Sequence, residues 1–216
     1  MSVSKAWTWE VSTDDIWNHP SEDVYYYVER WKELGLQRVL DLGCGIGRNT
    51  ILFARNGFAV SGLDLSAYGI EQTGLKLEHA GLHAALACAD INKLPYADNS
   101  FDALLAYHVI SHTDSVGIVN ILNEMKRVVK PGGELYFTLC SKDSPSFQNK
   151  AYAKLDENTV LKVDGPEQGI PHFYSDEQSL PYLLSGMTIL KLRHTKDVFE
   201  GSYSWHYFIL CRNDKG

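Results

Sequence analysis

No apolar run in the 216 residues approaches the roughly twenty needed to cross a bilayer, so neither a membrane span nor a membrane partner is expected. Met1 to Glu10 sets Trp7 and Trp9 among polar side chains rather than in a continuous apolar stretch, which leaves no signal peptide and predicts a cytoplasmic location. Cysteine is sparse. Cys44, Cys88, Cys140 and Cys211 are widely scattered with no paired spacing, so neither a disulfide framework nor a zinc site is indicated, no metal is expected, and the four read as free, partly buried thiols. Positive charge is short as well: the formal net charge is −7, and binding a phosphate backbone draws on clustered lysine and arginine, so no nucleic-acid partner is expected. The small basic group Lys126, Arg127 and Lys130 falls at the end of a predicted helix, where cations complement the helix dipole. Internal repeats and low-complexity linkers are also missing. With 44% apolar residues the chain can fill one three-layer core and leaves little for a second domain.

What is present concentrates in residues 38–66. Arg38 to Leu42 is a short apolar run holding Asp41. Gly43, Gly45 and Gly47 then allow a sharp turn and the close approach of a ligand, which the amides opening the next helix face. Ile51, Leu52, Phe53 and Ala54 fit a helix over Asn49 to Arg55, Asn56-Gly57 stops it, and Phe58 to Leu63 forms a second strand with Asp64 at its carboxyl end. Such a strand, glycine loop, helix and acid-tipped strand suit a nucleotide-like cofactor. A dinucleotide fingerprint, Gly-x-Gly-x-x-Gly/Ala, would put its third small residue at position 48, where this chain has Arg48, so the spacing speaks against NAD. An acid about twenty residues past the glycines accepts from ribose hydroxyls in either case, so Asp64 supports a nucleoside without choosing one.

The rest of the chain alternates strands and helices. Pro20 and Ser21 open a helix to about Leu34 with Val24, Tyr27, Val28 and Trp31 on one face, and Gly35 ends it. Ser66 caps a helix to about Ala80, a third strand runs near Ala84 to Cys88 before Asp90, and Phe101 to Tyr107 is the fourth. Asp114 to Val129 has helical spacing, and Lys130-Pro131-Gly132-Gly133 turns into a fifth strand, Glu134 to Leu139. This order implies a parallel sheet wound on both sides. Ser141 to Pro171 is polar, with Asp143, Ser144, Pro145, Asp164, Gly165 and Pro166, and reads as a lid or substrate loop. Ser175 to Ser185 reads as a helix that either starts near Ser179 or kinks at Pro181. Met187 to His194 and Ser202 to Arg212 finish the chain as two strands.

The pattern Asp41-x-Gly43-x-Gly45-x-Gly47 closely resembles the first motif of class I S-adenosylmethionine (SAM) dependent methyltransferases. LPYADNSFDALLAYHVISH at 94–112 is similar to the small-molecule branch's signature, in which Leu-Pro and Ser-Phe-Asp bracket the entry to strand four. RVVKPGGELYFTL at 127–139 is similar to that family's turn into strand five, so the resemblance covers about Arg38 to Leu139. It implies an α/β, Rossmann-like doubly wound sheet of seven strands, mostly parallel with an antiparallel last strand. One domain would comprise a helical cap (1–35), a SAM-binding core (36–140), a substrate or lid excursion (141–174) and a C-terminal helix and strand pair (175–216). By position it implies that Asp41 and the loop of Gly43, Cys44, Gly45 and Gly47 serve the methionine half of SAM, with Arg48 near its carboxylate. Asp64, with Leu65 and Ser66, would take the ribose, Asp90 the adenine amino group, Ile91 the adenine edge, and Tyr107 and His108 the region of the sulfonium. The DNA-methylating branches carry an Asp/Asn-Pro-Pro-Tyr string or a Pro-Cys nucleophile, and neither occurs here.

Methyl transfer from a sulfonium is an in-line displacement that positioning and water exclusion accelerate without a nucleophilic side chain. A base matters only when the acceptor must lose a proton, and His108, His112 and His172 are the candidates. Each assignment has a structural alternative: Asp90 as a turn cap, Arg48 as a helix former, the histidines as packing residues. Trp7, Trp9, Trp17, Tyr25, Tyr26 and Tyr27, with Pro171-His172-Phe173-Tyr174 and Trp205-His206-Tyr207, suit either an aromatic acceptor wall or core packing. The expected activity is methylation of a small-molecule acceptor by a monomer or homodimer, with S-adenosylhomocysteine (SAH) as product. A non-catalytic SAM- or SAH-binding protein of the same fold is the alternative.

Overall fold

The computed structural model describes residues 5–12, 14–163, 167–199 and 201–214. Met1 to Ser4 at the start, and Asp164, Gly165 and Pro166 of the polar excursion, lie outside the described residues. Parallel pairing joins β1 (Arg38–Leu42), β2 (Ala59–Asp64), β3 (Ala85–Cys88), β4 (Phe101–Ala106) and β5 (Val129–Ser141) in the order β3-β2-β1-β4-β5. The connecting helices are α2 (Arg48–Arg55), α3 (Ala67–His79) and α4 (Ser115–Val128), with α1 (Glu22–Glu33) preceding the sheet. After α5 (Pro145–Gln148), β6 (Ala153–Asp156), β7 (Thr159–Leu161), β8 (Pro171–Ser175) and α6 (Leu180–Leu183), the chain closes with β9 (Met187–Phe199) and β10 (Ser202–Asn213). β10 inserts antiparallel between β5 and β9, the expected inversion.

Alternation along the strands divides the core. Val39 faces α1 and α2, where Val24, Tyr27, Val28, Trp31 and Phe53 are buried. Leu40 and Leu42 face the other way, toward Ile118, Ile121, Leu122 and Met125 of α4. Acidic Glu22 and Asp23 in the first turn of α1, and Arg30 and Lys32 in its last, complement its dipole. α1 is tied to the sheet through Glu134 of β5, which is 5% exposed. Arg30 donates to it from Nε (2.9 Å) and from its terminal nitrogen (2.6 Å), and Trp31 Nε1 donates at 2.9 Å.

One expectation for the last third is corrected and one alternative is settled. The polar excursion is not a loop: β6, β7 and β8 pair antiparallel, and β8 then adds to the tip of β5 through Cys140↔Tyr174 and Ser141↔Ser175. The sheet thus carries three short strands beyond the seven of the doubly wound body. Of the two readings for 175–185 the later start holds: the helix runs Leu180–Leu183 with Ser179 at its N-cap position and ends two residues short of Ser185, because Pro181 is tolerated in a first turn, where its missing N–H has no partner to lose. Cys44 and Cys211 are buried, Cys140 is half-buried and Cys88 is exposed, all as free thiols. Among the described residues no helix is long and apolar enough to cross a membrane.

Candidate active site

A cleft of about 1460 Å³ opens beyond the carboxyl ends of β1, β2 and β4, the crevice where open α/β sheets take their ligands. One wall is the glycine loop. Gly43, Gly45 and Gly47 hold φ of +73°, +54° and +89°, a region that costs any other residue strain. Space excludes side chains independently: a Cβ on Gly43 would fall 2.3 Å from Val109, and one on Gly47 2.7 Å from Thr73. Gly43 and Cys44 donate their amides to Leu63 O at 2.7 and 3.0 Å, locking the bend onto β2.

Asp64, at the tip of β2, is 8% exposed and reaches the cleft. Its Oδ2 accepts from Gly45 N and its Oδ1 from Ser66 N, both at 2.8 Å, while burial raises its pKa. Each oxygen keeps a further lone pair for a ligand hydroxyl. Leu65 beside it also lines the cleft, as do Gly43, Cys44, Asp90 and Ile91. Asp90 accepts from Asn92 N (2.8 Å) and Asn92 Nδ2 (2.9 Å), so it shapes its turn while facing the cavity.

Four residues of the expected cofactor set stand behind the wall rather than on it. Asp41 is 1% exposed, accepts from Thr50 Oγ1 at 2.6 Å, and has its pKa pushed up to about 6 by burial; it pins α2 beneath the loop. Gly45 and Gly47 set the bend, and Trp9 covers Gly45, whose Cβ would meet the indole at 2.3 Å. Ser66 caps α3 by accepting from Gly69 N.

Arg48 does line the cleft. Its guanidinium lies 5.2 Å from the Trp17 ring and 5.9 Å from the Tyr107 ring and donates to Ile16 O at 3.1 Å, clamping the N-terminal segment over the start of α2. Trp7, Trp9 and Trp17 pack on one another at 5.4–6.0 Å and form the cleft's outer wall. Of the aromatic residues expected there, Tyr27 is core, whereas Tyr25 and Tyr26 are exposed. Trp9 Nε1 and Asn49 Oδ1 are buried at this wall without a partner among the described residues. Glycine bends that admit no side chain, an acid with spare lone pairs, and two unpaired polar atoms fit a nucleoside with an amino-acid tail.

At the end of β4, His108 adopts φ +54°, rare for a residue with a Cβ and typical of functional sites. Its amide donates to Thr138 Oγ1 (2.8 Å), and its Nδ1 lies 3.4 Å from the same oxygen. Burial, then the neighbouring His206 and Arg48, drive its pKa well below 6.5, so it is neutral at physiological pH. His206, 4.5 Å away ring to ring, has its own pKa raised to about 9: burial opposes the charge, but Asp197 and Cys140 outweigh it.

The structure also unites residues far apart in sequence. His112, after β4, and His172, in β8, both turn toward Glu167. Glu167, Asn49 and Thr138 were not candidates from the sequence, and His206 stood out only within the Trp205-His206-Tyr207 aromatic group. Thr138 was legible only as a strand residue, and Glu167 sits in a segment with no periodicity.

A methyltransferase domain family matches residues 40–137. A malonyl-[acyl-carrier protein] O-methyltransferase of Enterobacter lignolyticus is 33% identical over 177 residues, which is 77% of this chain and 68% of that protein. The chain belongs to the class I SAM-dependent methyltransferases. A sterol 24-C-methyltransferase of Gibberella zeae is 38% identical over 101 residues, 44% of this chain and 26% of that protein. Across these two methyltransferases the chain spans about a quarter to two thirds of the relative's length. A Methanosarcina mazei SAM-dependent methyltransferase shares the fold at a TM-score of 0.73 and 22% identity, covering 90% of this chain and 98% of that one. So does a Burkholderia thailandensis 1,6-didemethyltoxoflavin-N1-methyltransferase bound to SAH, at 0.67 and 17%, covering 95% and 82%.

Proposed function

We propose that this methyltransferase transfers the methyl group of SAM to a small-molecule acceptor held in the cleft. The observation that carries the reading is the convergence on one cavity of the glycine bend, the acid at the tip of β2 and a strained, neutral histidine at the tip of β4. SAM, when bound, supplies an electrophilic methyl carbon on a sulfonium. The chain's own residues then bind and orient. Asp64 accepts from the ribose hydroxyls, Asp90 and the backbone of Ile91 address the adenine, and loop amides with Arg48 hold the amino-acid end. The tryptophan wall excludes water, which favours the in-line displacement. A net charge of −7 favours a small acceptor over a nucleic acid.

His108 is the proton acceptor for acceptors that must lose a proton. With Nδ1 directed at Thr138 Oγ1, the second ring nitrogen is left for the acceptor hydroxyl or amine. His108→Gln is expected to lower kcat by about tenfold, the worth of one hydrogen bond of about 1.4 kcal/mol. The active form is neutral and its pKa lies well below 6.5, so the rate should stay flat as pH falls from 8 to 6.5 and decline only below that. A pH–rate profile of the two proteins checks both points, and a wild-type limb near pH 8 would remove His108 from this role. The function itself is tested by assaying SAH release across phenols, carboxylic acids, amines and thiols. Turnover with at least one class is expected, and SAM binding with no turnover in any class would contradict the proposal.

A further inference from the structure

We propose that His112, Glu167 and His172 form a binding site for a divalent transition-metal ion, two imidazoles and one carboxylate opening into the methyl-transfer cleft. One carboxylate oxygen is the focus: Glu167 Oε1 lies 3.0 Å from His172 Nε2 and 3.6 Å from His112 Nε2. The three donor atoms fall within 4.8 Å of one another. Bonds of about 2.0–2.1 Å at tetrahedral or octahedral angles place neighbouring donors roughly 2.9–3.4 Å apart, so the Glu167 pairs need only a few tenths of an ångström, while the two imidazole nitrogens, within 4.8 Å of each other, must draw together by roughly 1.4 Å.

The tautomer of His172 supplies a second, independent observation. Its ring is 1% exposed, and Nδ1 lies 2.9 Å from Ile170 O. A carbonyl only accepts, so Nδ1 carries the hydrogen and a neutral ring presents its Nε2 lone pair to Glu167. Two lone pairs 3.0 Å apart require a positive centre between them, either a proton or a metal ion. Anchoring the distal ring nitrogen of a histidine on a backbone carbonyl is also how metal-binding histidines are oriented.

The surroundings complete the arrangement. Lys162 pairs with Glu167 Oε2, which leaves Oε1 as a single-oxygen donor. Trp7 stacks on His112 at 5.9 Å and 19°, fixing that ring from the cleft side. All three donors line the cleft, so open positions on the ion would face the acceptor space. Two imidazoles and a carboxylate suit zinc, cobalt, iron(II) or manganese rather than calcium. Within the proposed methyl transfer, such an ion would select acceptors that offer it an oxygen; the site itself does not depend on that reading.

The test uses the full chain, stripped with a chelator and titrated with cobalt(II). One equivalent should bind with visible d–d absorption that zinc displaces. His172→Ala and Glu167→Gln should each weaken cobalt binding at least 100-fold. His112→Ala, at a less buried ring, should do the same and guards against a folding defect in the other two. SAM calorimetry on the same samples reports separately on the cofactor site, so a metal failure and a SAM failure are distinguishable. No cobalt spectrum in the wild-type chain, or one unchanged in the three variants, would overturn the metal site and leave a shared proton between Glu167 and His172.

Discussion

Asp64→Ala is expected to weaken SAM and SAH binding by about 1–3 kcal/mol, roughly 5- to 150-fold, without unfolding the chain. Two losses combine. The ribose hydroxyls lose a charged acceptor, and the amides of Gly45 and Ser66, each 2.8 Å from this carboxylate, lose the group that holds the glycine bend against the tip of β2. Asp64→Asn should fall between wild type and alanine, because an amide can replace one acceptor but turns a donor toward the other N–H. Calorimetric titration with SAH checks the affinities, and thermal unfolding of the ligand-free proteins separates binding from stability. Unchanged affinity in Asp64→Ala would remove this residue from the site.

Glu134→Ala carries the largest expected effect on stability. The carboxylate accepts three hydrogen bonds from Arg30 and Trp31, and its side chain is only 6% exposed. Its removal strands a guanidinium and an indole N–H against the sheet, a loss on the scale of about 3–5 kcal/mol for breaking a buried pair. For a domain of this size that lowers Tm by roughly 6–20 °C. Glu134→Gln keeps an acceptor for Trp31 and should lose less. Calorimetric or fluorescence melting reads both, and a shift under 2 °C for the alanine variant would mean that α1 is held by its apolar face alone.

The alternating body of the fold was legible because each element carries its own signal. Glycine stops, capping residues and buried runs such as Val39 to Leu42 mark α1 through β5 to within a few residues. β6 and β7 carry no such signal. Their segments are three or four residues long, β6 is largely exposed and β7 buries only Thr159 and Val160, and both are held by pairing with distant strands rather than by local pattern. β8 does bury its side chains, but five residues opening on a proline do not reveal that they will add to the tip of β5.

The same division runs through the site. Asp64, Asp90, Ile91 and His108 sit at strand ends that the sequence marks, and they line the cleft. Asp41 was legible as part of the motif, but its depth beneath the loop was not, since that depends on Thr50 reaching it from α2. Glu167 meets His112 and His172 only because β8 folds back beside β5, a long-range pairing that no spacing encodes.

The central claim is that the bend after β1 and the acid of β2 hold the methyl donor. A crystal structure of the chain with SAH tests it most directly. The account predicts SAH in the cleft, with its ribose hydroxyls within hydrogen-bonding distance of Asp64 and its sulfur facing His108. SAH bound elsewhere, or a cleft closed to it by the Trp9 side chain, would contradict the account.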